Sequence, residues 1–95
     1  MPARQVFYSG RVQGVGFRYT VKRIASGYEV IGWVRNLDDG RVELQASSHD
    51  MDELEAFLEA IKDSSLGGNI KDVEVHPIPE FTGVRGFSIL SQGSL

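Results

Sequence analysis

Apolar and polar positions alternate along the chain with two different periods, and glycines mark most of the changes. Gln5 to Val12 (QVFYSGRV) is rich in β-favouring residues and predicts a first strand. Gln13-Gly14-Val15-Gly16 reads as a turn. Beyond it Phe17, Val21, Ile24, Ala25 and Tyr28 recur at helical spacing, which predicts a helix from Phe17, with Gly27 as a left-handed cap near its end. Val30 to Arg35 alternates again as a strand, Asp38-Asp39-Gly40 is a turn signal, and Val42, Leu44 and Ala46 alternate with Glu43, Gln45 and Ser47. The two strands therefore predict a hairpin with one apolar face.

Leu54, Phe57, Leu58 and Ile61 make a second helical stripe. Asp50, Asp52 and Glu53 suit the positive start of that helix, and Lys62 suits its negative end. Gly67-Gly68-Asn69 closes the segment. Ile70 to Ile78 (IKDVEVHPI) predicts a further strand, stopped by Pro77 and Pro79, and Arg85 to Leu90 (RGFSIL) a short last one. Strand, helix, strand, strand, helix, strand is the split β-α-β order of ferredoxin-like α+β domains. It predicts a mainly antiparallel sheet with both helices on one face and a single core between the two layers. That fold hosts many functions and specifies none.

Composition narrows the classes. The chain has 95 residues, 41% of them hydrophobic and 24% charged, which predicts one globular domain over residues 1–95. It has no cysteine, so a disulfide scaffold, a thiolate nucleophile and cysteine-ligated metal are excluded. No apolar run is long enough to cross a bilayer, and Met1 to Phe7 lacks the apolar centre of a signal peptide. The expectation is a cytoplasmic monomer with no membrane partner. The net charge of −3 and pI near 5.3 argue against a nucleic-acid partner.

The stretch Gly10-Arg11-Val12-Gln13-Gly14-Val15-Gly16-Phe17-Arg18 carries the clearest candidate chemistry. A strand ends, two glycines turn the chain, and a helix begins. Its first N–H groups lack intrahelical partners and sit at the positive end of the helix dipole, an arrangement suited to a phosphate-sized anion. Arg18 adds a permanent cation that matches phosphate oxygens two at a time. The loop has no GxxxxGK[ST] pattern, and Tyr19 stands where a dinucleotide-binding fingerprint needs its third glycine. An ordinary strand-to-helix turn with a surface arginine is the plain structural alternative.

The same stretch resembles the signature of the acylphosphatase family. A second motif agrees: Gly32-Trp33, Asn36, then Gly40-Arg41-Val42, in the family's order. Gly86-Phe87-Ser88-Ile89-Leu90 is similar to the family's last strand. The resemblance spans nearly the whole chain. It implies hydrolysis of a carboxyl-phosphate bond to a carboxylate and inorganic phosphate. Arg18 and Asn36 would be catalytic, Asn36 orienting the attacking water. Gln13, Gly14, Val15, Gly16, Phe17 and Arg18 would bind the phosphate. No metal and no cofactor is implied, and the partner is a small-molecule acyl phosphate. Two departures stand out: Ser48 where the family has glycine, and Ser64-Ser65-Leu66-Gly67-Gly68 where prolines are frequent, which predicts a looser loop.

The chemistry fits those roles. A carboxylate leaving group has a conjugate acid of pKa about 4, so it departs at neutral pH without a proton donor. Positioning and charge stabilisation then suffice. Elsewhere, His49-Asp50-Met51-Asp52-Glu53 reads as a solvated helix start rather than a metal site. His49 and His76 lie in no motif, and Asp38 and Asp39 read as turn residues. The rival from another class is a non-catalytic binding module for RNA or a phosphate-containing ligand. Arg85 to Leu90 superficially matches the aromatic strand motif of RNA-recognition domains.

Overall fold

A computed structural model describes residues 2–81 and 83–93. Strand β1 (Ala3–Gly10) leads into helix α1 (Phe17–Ala25). Strands β2 (Ile31–Asn36) and β3 (Val42–Ser47) form the hairpin. Helix α2 (Met51–Asp63) passes through a 3-10 helix (Ser65–Asn69) into β4 (Ile70–Ile78), and β5 (Phe87–Ile89) closes the order. The sheet runs β4-β1-β3-β2-β5. The first four strands are antiparallel neighbours and β5 lies parallel to β2. This is the expected ferredoxin-like layout with one added edge strand.

The core sits between the sheet and the two helices. Val6, Tyr8, Val34, Val42, Leu44 and Ala46 of the sheet meet Phe17, Val21 and Ala25 of α1 and Leu54, Phe57 and Ile61 of α2. Strand alternation and helical stripes thus deliver their apolar sides to one layer. The opposite sheet face sets polar side chains beside Phe7 and Trp33, with the Arg41 and Arg35 guanidinium groups lying over those two rings. Glu43 is buried there, held by Arg35 at 2.8 Å and by the Gln5 amide at 2.7 Å. Its charge is thus paired and hydrogen-bonded where it leaves water.

Some boundaries differ from those predicted. Strand β1 stops at Gly10, where its register with β4 shifts. Gly10 has φ 122°, and a side chain there would meet the Asn69 carbonyl oxygen at 2.5 Å, so only glycine fits the bend. Val12 nevertheless reaches the core from outside the strand. Helix α1 ends at Ala25, short of Tyr28, and Gly27 is not left-handed. Tight bonds from Gly27 N–H to the Ile24 carbonyl and from Tyr28 N–H to the Ala25 carbonyl close the helix instead. Ser64 to Asn69 is no loose loop: the Ser64 hydroxyl caps Leu66, whose side chain is buried. Before α2, Asp50 caps Asp52 N–H at 2.9 Å, and the Ser48 hydroxyl accepts from Asp50 N–H.

Candidate active site

A cleft of about 170 Å³ opens where the turn after β1, the start of α1 and the ends of β2 and β5 converge, lined by Val12, Gly14, Gly16, Phe17, Arg18, Tyr19, Asn36 and Ile89. Each wall follows from local structure. Gly14 and Gly16 have φ 76° and 75°, with Val15 at negative φ between them. This alternation of hand turns successive N–H groups toward one side. The main-chain N–H groups of Gly14, Val15, Gly16, Phe17 and Arg18 donate to no acceptor in the rest of the described chain. Gly16 is the residue flanking α1, and no side chain caps the helix start. The turn therefore presents unpaired donors at the positive end of α1.

Arg18 is the second residue of α1 and half-buried. Among the described residues no ion pair or hydrogen bond engages its guanidinium. Arg35 and Arg41, by contrast, are paired with Glu43 and Asp39. Helix α1 also carries Lys22 and Arg23 and no acid, which gives an acidic protein a locally positive face.

Asn36 ends β2. Two residues after the buried Val34, it points to the helix side of the sheet and beneath the start of α1. Its backbone is held on both sides: it pairs with Val42 of β3, and Gly93 N–H donates to its carbonyl at 2.9 Å. Its side-chain oxygen Oδ1 is buried and accepts no hydrogen bond among the described residues. Such an acceptor costs about 1–3 kcal/mol of folding free energy. A core packed for stability alone would have satisfied it.

The fold thus brings Arg18, Asn36, Gly14, Gly16 and Phe17 to one cleft, though they are separated by up to 22 positions. Phe17 contributes only main chain, because its ring is buried 5.1 Å from that of Tyr8. Gln13 and Val15 stand beside the cleft rather than in its lining. The Gln13 side chain is committed elsewhere, to the carbonyls of Leu37 and Arg41. The cleft also includes three residues outside the predicted site, the buried Val12 and the more exposed Tyr19 and Ile89. For Tyr19 the signal was present, since a large aromatic falls two positions off the buried stripe of α1. For Ile89 none was, because its place depends on the parallel pairing with Val34.

The other candidates fall away from this cleft. His49 and His76 are exposed, and His76 pairs with Glu74 at 2.7 Å. Among the described residues no group of three or more His, Asp or Glu side chains is arranged to hold a metal. Asp39 serves the hairpin turn: the Arg41 N–H and guanidinium beside it hold its carboxyl below the usual carboxylate range. Phe87, the aromatic needed by an RNA-stacking surface, packs on Phe57 with ring centroids 5.6 Å apart.

Comparison with known proteins agrees with the geometry. The family model described as Acylphosphatase matches residues 4–89. The chain belongs to the acylphosphatase family. It is 49% identical over 85 residues to an acylphosphatase of Haloarcula marismortui, covering 88% of this chain and 90% of the relative. It is 42% identical over 85 residues to that of Bacillus licheniformis, covering 90% and 93%. The crystal structure of acylphosphatase from Bacillus subtilis superposes with a TM-score of 0.85 at 40% identity, covering 95% of this chain and 99% of that one. Within the acylphosphatase family frame, the glycine turn and the end of β2 are the two segments that the sequence motifs occupy.

Proposed function

We propose that this acylphosphatase-family protein hydrolyses the carboxyl-phosphate bond of small acyl phosphates without a metal ion. It acts as a single-domain monomer over residues 1–95, in the cytoplasm and with neither nucleic acid nor membrane as partner. The observation that carries this reading is that the buried Asn36 Oδ1 and the Arg18 guanidinium share one cleft, neither with a partner among the described residues.

The phosphoryl group lies in the glycine turn. The N–H groups of residues 14–18 and the Arg18 guanidinium hold its non-bridging oxygens and carry the charge that builds on them in the transition state. Asn36 Oδ1 accepts a hydrogen from the attacking water and aims its oxygen at phosphorus. A carboxamide accepts and donates but does not titrate, so it orients the water without deprotonating it. As the water oxygen bonds to phosphorus, the bond to the acyl oxygen breaks. That electron pair leaves with the carboxylate, and the protons of water end on phosphate and in solvent. A leaving group of conjugate-acid pKa about 4 needs neither a general acid nor a Lewis acid. The net charge of −3 also fits a small anion drawn to a local basic face better than it fits a polyanion.

The test is phosphate release from acetyl phosphate beside p-nitrophenyl phosphate, with and without EDTA. Selective cleavage of the mixed anhydride, undiminished by chelator, is expected. Equal cleavage of the ester, or EDTA inhibition reversed by a divalent cation, would overturn the mechanism.

A further inference from the structure

Asn36 stands at the end of β2, beyond the reach of β5. That strand pairs only with Gly32, Trp33 and Val34. Residues 90–93 continue along the same edge. Leu90 N–H donates to the Val34 carbonyl at 2.9 Å, Gly93 N–H donates to the Asn36 carbonyl at 2.9 Å, and Asp38 N–H donates to the Gly93 carbonyl at 3.1 Å. The Gln92 side-chain amide donates to Asp38 Oδ1 at 2.8 Å. Asn36 is therefore clasped by β3 on one edge and by this strap on the other, where a free strand end would fray. Between Val34 and Asn36 strand β2 advances two residues, whereas the strap advances three, from Leu90 to Gly93. The extra residue makes a bulge opposite the Asn36 backbone, a device that re-aims a neighbouring side chain.

Gly93 seats the strap. Its φ lies outside the left-handed region, so glycine is required by space and not by backbone conformation. A Cβ there would overlap the Arg35 guanidinium. Arg35 is not free to move. Its Nε and Nη2 each bond Glu43 Oε1 at 2.8 Å, and its cation lies over the Trp33 ring. Displacing it would strip the buried Glu43 carboxylate of its cation. A side chain at 93 would lift the strap from Asn36 instead.

We propose that residues 90–93 are a positioning strap for Asn36, and that Gly93 is the positioning residue on which the strap depends. The inference rests on the acylphosphatase reading and adds a residue that serves the same site. The strap holds the main chain of Asn36 and thereby the direction of Oδ1. It bonds neither the glycine turn nor Arg18. Its loss weakens the orientation of water and spares the binding of phosphate.

The experiment measures kcat and KM for acetyl phosphate in the full chain, in Gly93→Ala and in Gln92→Ala, with each change also made in the Asn36→Ala background. Gly93→Ala should lower kcat about tenfold, while KM and the inhibition constant of phosphate stay within about twofold. Gln92 is exposed, so Gln92→Ala should fold even if Gly93→Ala does not, and it should lower kcat about twofold. In the Asn36→Ala background neither change should lower kcat further, because the side chain that the strap aims is gone. Loss of folded protein would lower kcat equally in both backgrounds, so additive effects would overturn the strap, as would parental kcat in both single variants. The Asn36 side-chain amide resonances in an NMR spectrum give a readout free of turnover: both strap variants should shift them, and unmoved resonances would overturn the proposal. A parent that releases no phosphate from acetyl phosphate would overturn the acylphosphatase reading, and the resonances would then decide the strap by themselves.

Discussion

The side-chain amide of Gln13 donates to the Leu37 carbonyl at 2.8 Å, and the same nitrogen reaches the Arg41 carbonyl at 2.9 Å. One side chain of the glycine turn is thereby tied to the hairpin that begins where Asn36 ends. The two halves of the cleft, from segments more than twenty residues apart, are held in register by this bridge. In the mechanism proposed above, the Gln13 side chain is therefore a positioning group that acts through the turn and through Asn36.

Replacing Gln13 with Glu should break the bridge, because an ionised carboxylate cannot donate to two carbonyls. Stability should fall by about 1–3 kcal/mol, measured by urea unfolding, and kcat by about tenfold. Facing two carbonyl oxygens, the new carboxyl has a raised pKa and regains one donated hydrogen when protonated. Activity relative to the parent should therefore recover as pH falls from 7 toward 5. A relative activity flat over that range would show that the bridge does not position the site.

Arg18→Ala should raise the inhibition constant of inorganic phosphate and lower kcat by more than the about 10²–10³-fold typical of losing one neutral donor, since a full charge disappears. Steady-state kinetics with phosphate as competitive inhibitor measures both. Near-parental kcat would remove Arg18 from the mechanism.

Asn36→Ala should lower kcat about 10²–10³-fold with little change in KM, because the oriented water matters in the transition state. The same variant removes a buried acceptor that lacks a partner, so it should cost little stability. A KM effect alone would make Asn36 a substrate contact.

Gly16→Ala should cost about 1–2 kcal/mol in chemical denaturation, entirely from backbone conformation. Its φ is 75°, and a methyl group would meet nothing within 4 Å. Calorimetry should place Gly14→Ala in the same range, since its φ is 76° and its surroundings are equally open. A neutral outcome at both would mean that the turn relaxes freely.

Neither a carboxamide nor a guanidinium changes protonation between about pH 6 and 9. The profile of kcat for acetyl phosphate should be level across that interval. A bell with a limb near 6.5 would point to a histidine and contradict the placement of His49 and His76 outside the cleft.

Much of this protein is readable from local pattern, because alternation and helical spacing are properties of neighbouring residues. The hairpin faces, both apolar stripes and the glycine turn followed by Arg18 all emerge that way. Helix ends and the bend at Gly10 do not, since competing short-range bonds and the approach of Asn69 decide them. Gln13 shows the limit most clearly. Its place in the motif suggests a phosphate ligand, yet its side chain is turned to carbonyls of a strand end that only folding brings near. Ile89 shows it again, since a parallel edge pairing sets which face it occupies. What a residue touches across the sheet depends on register and on long-range closure, and those are settled by burial of the whole core rather than by any stretch of chain alone.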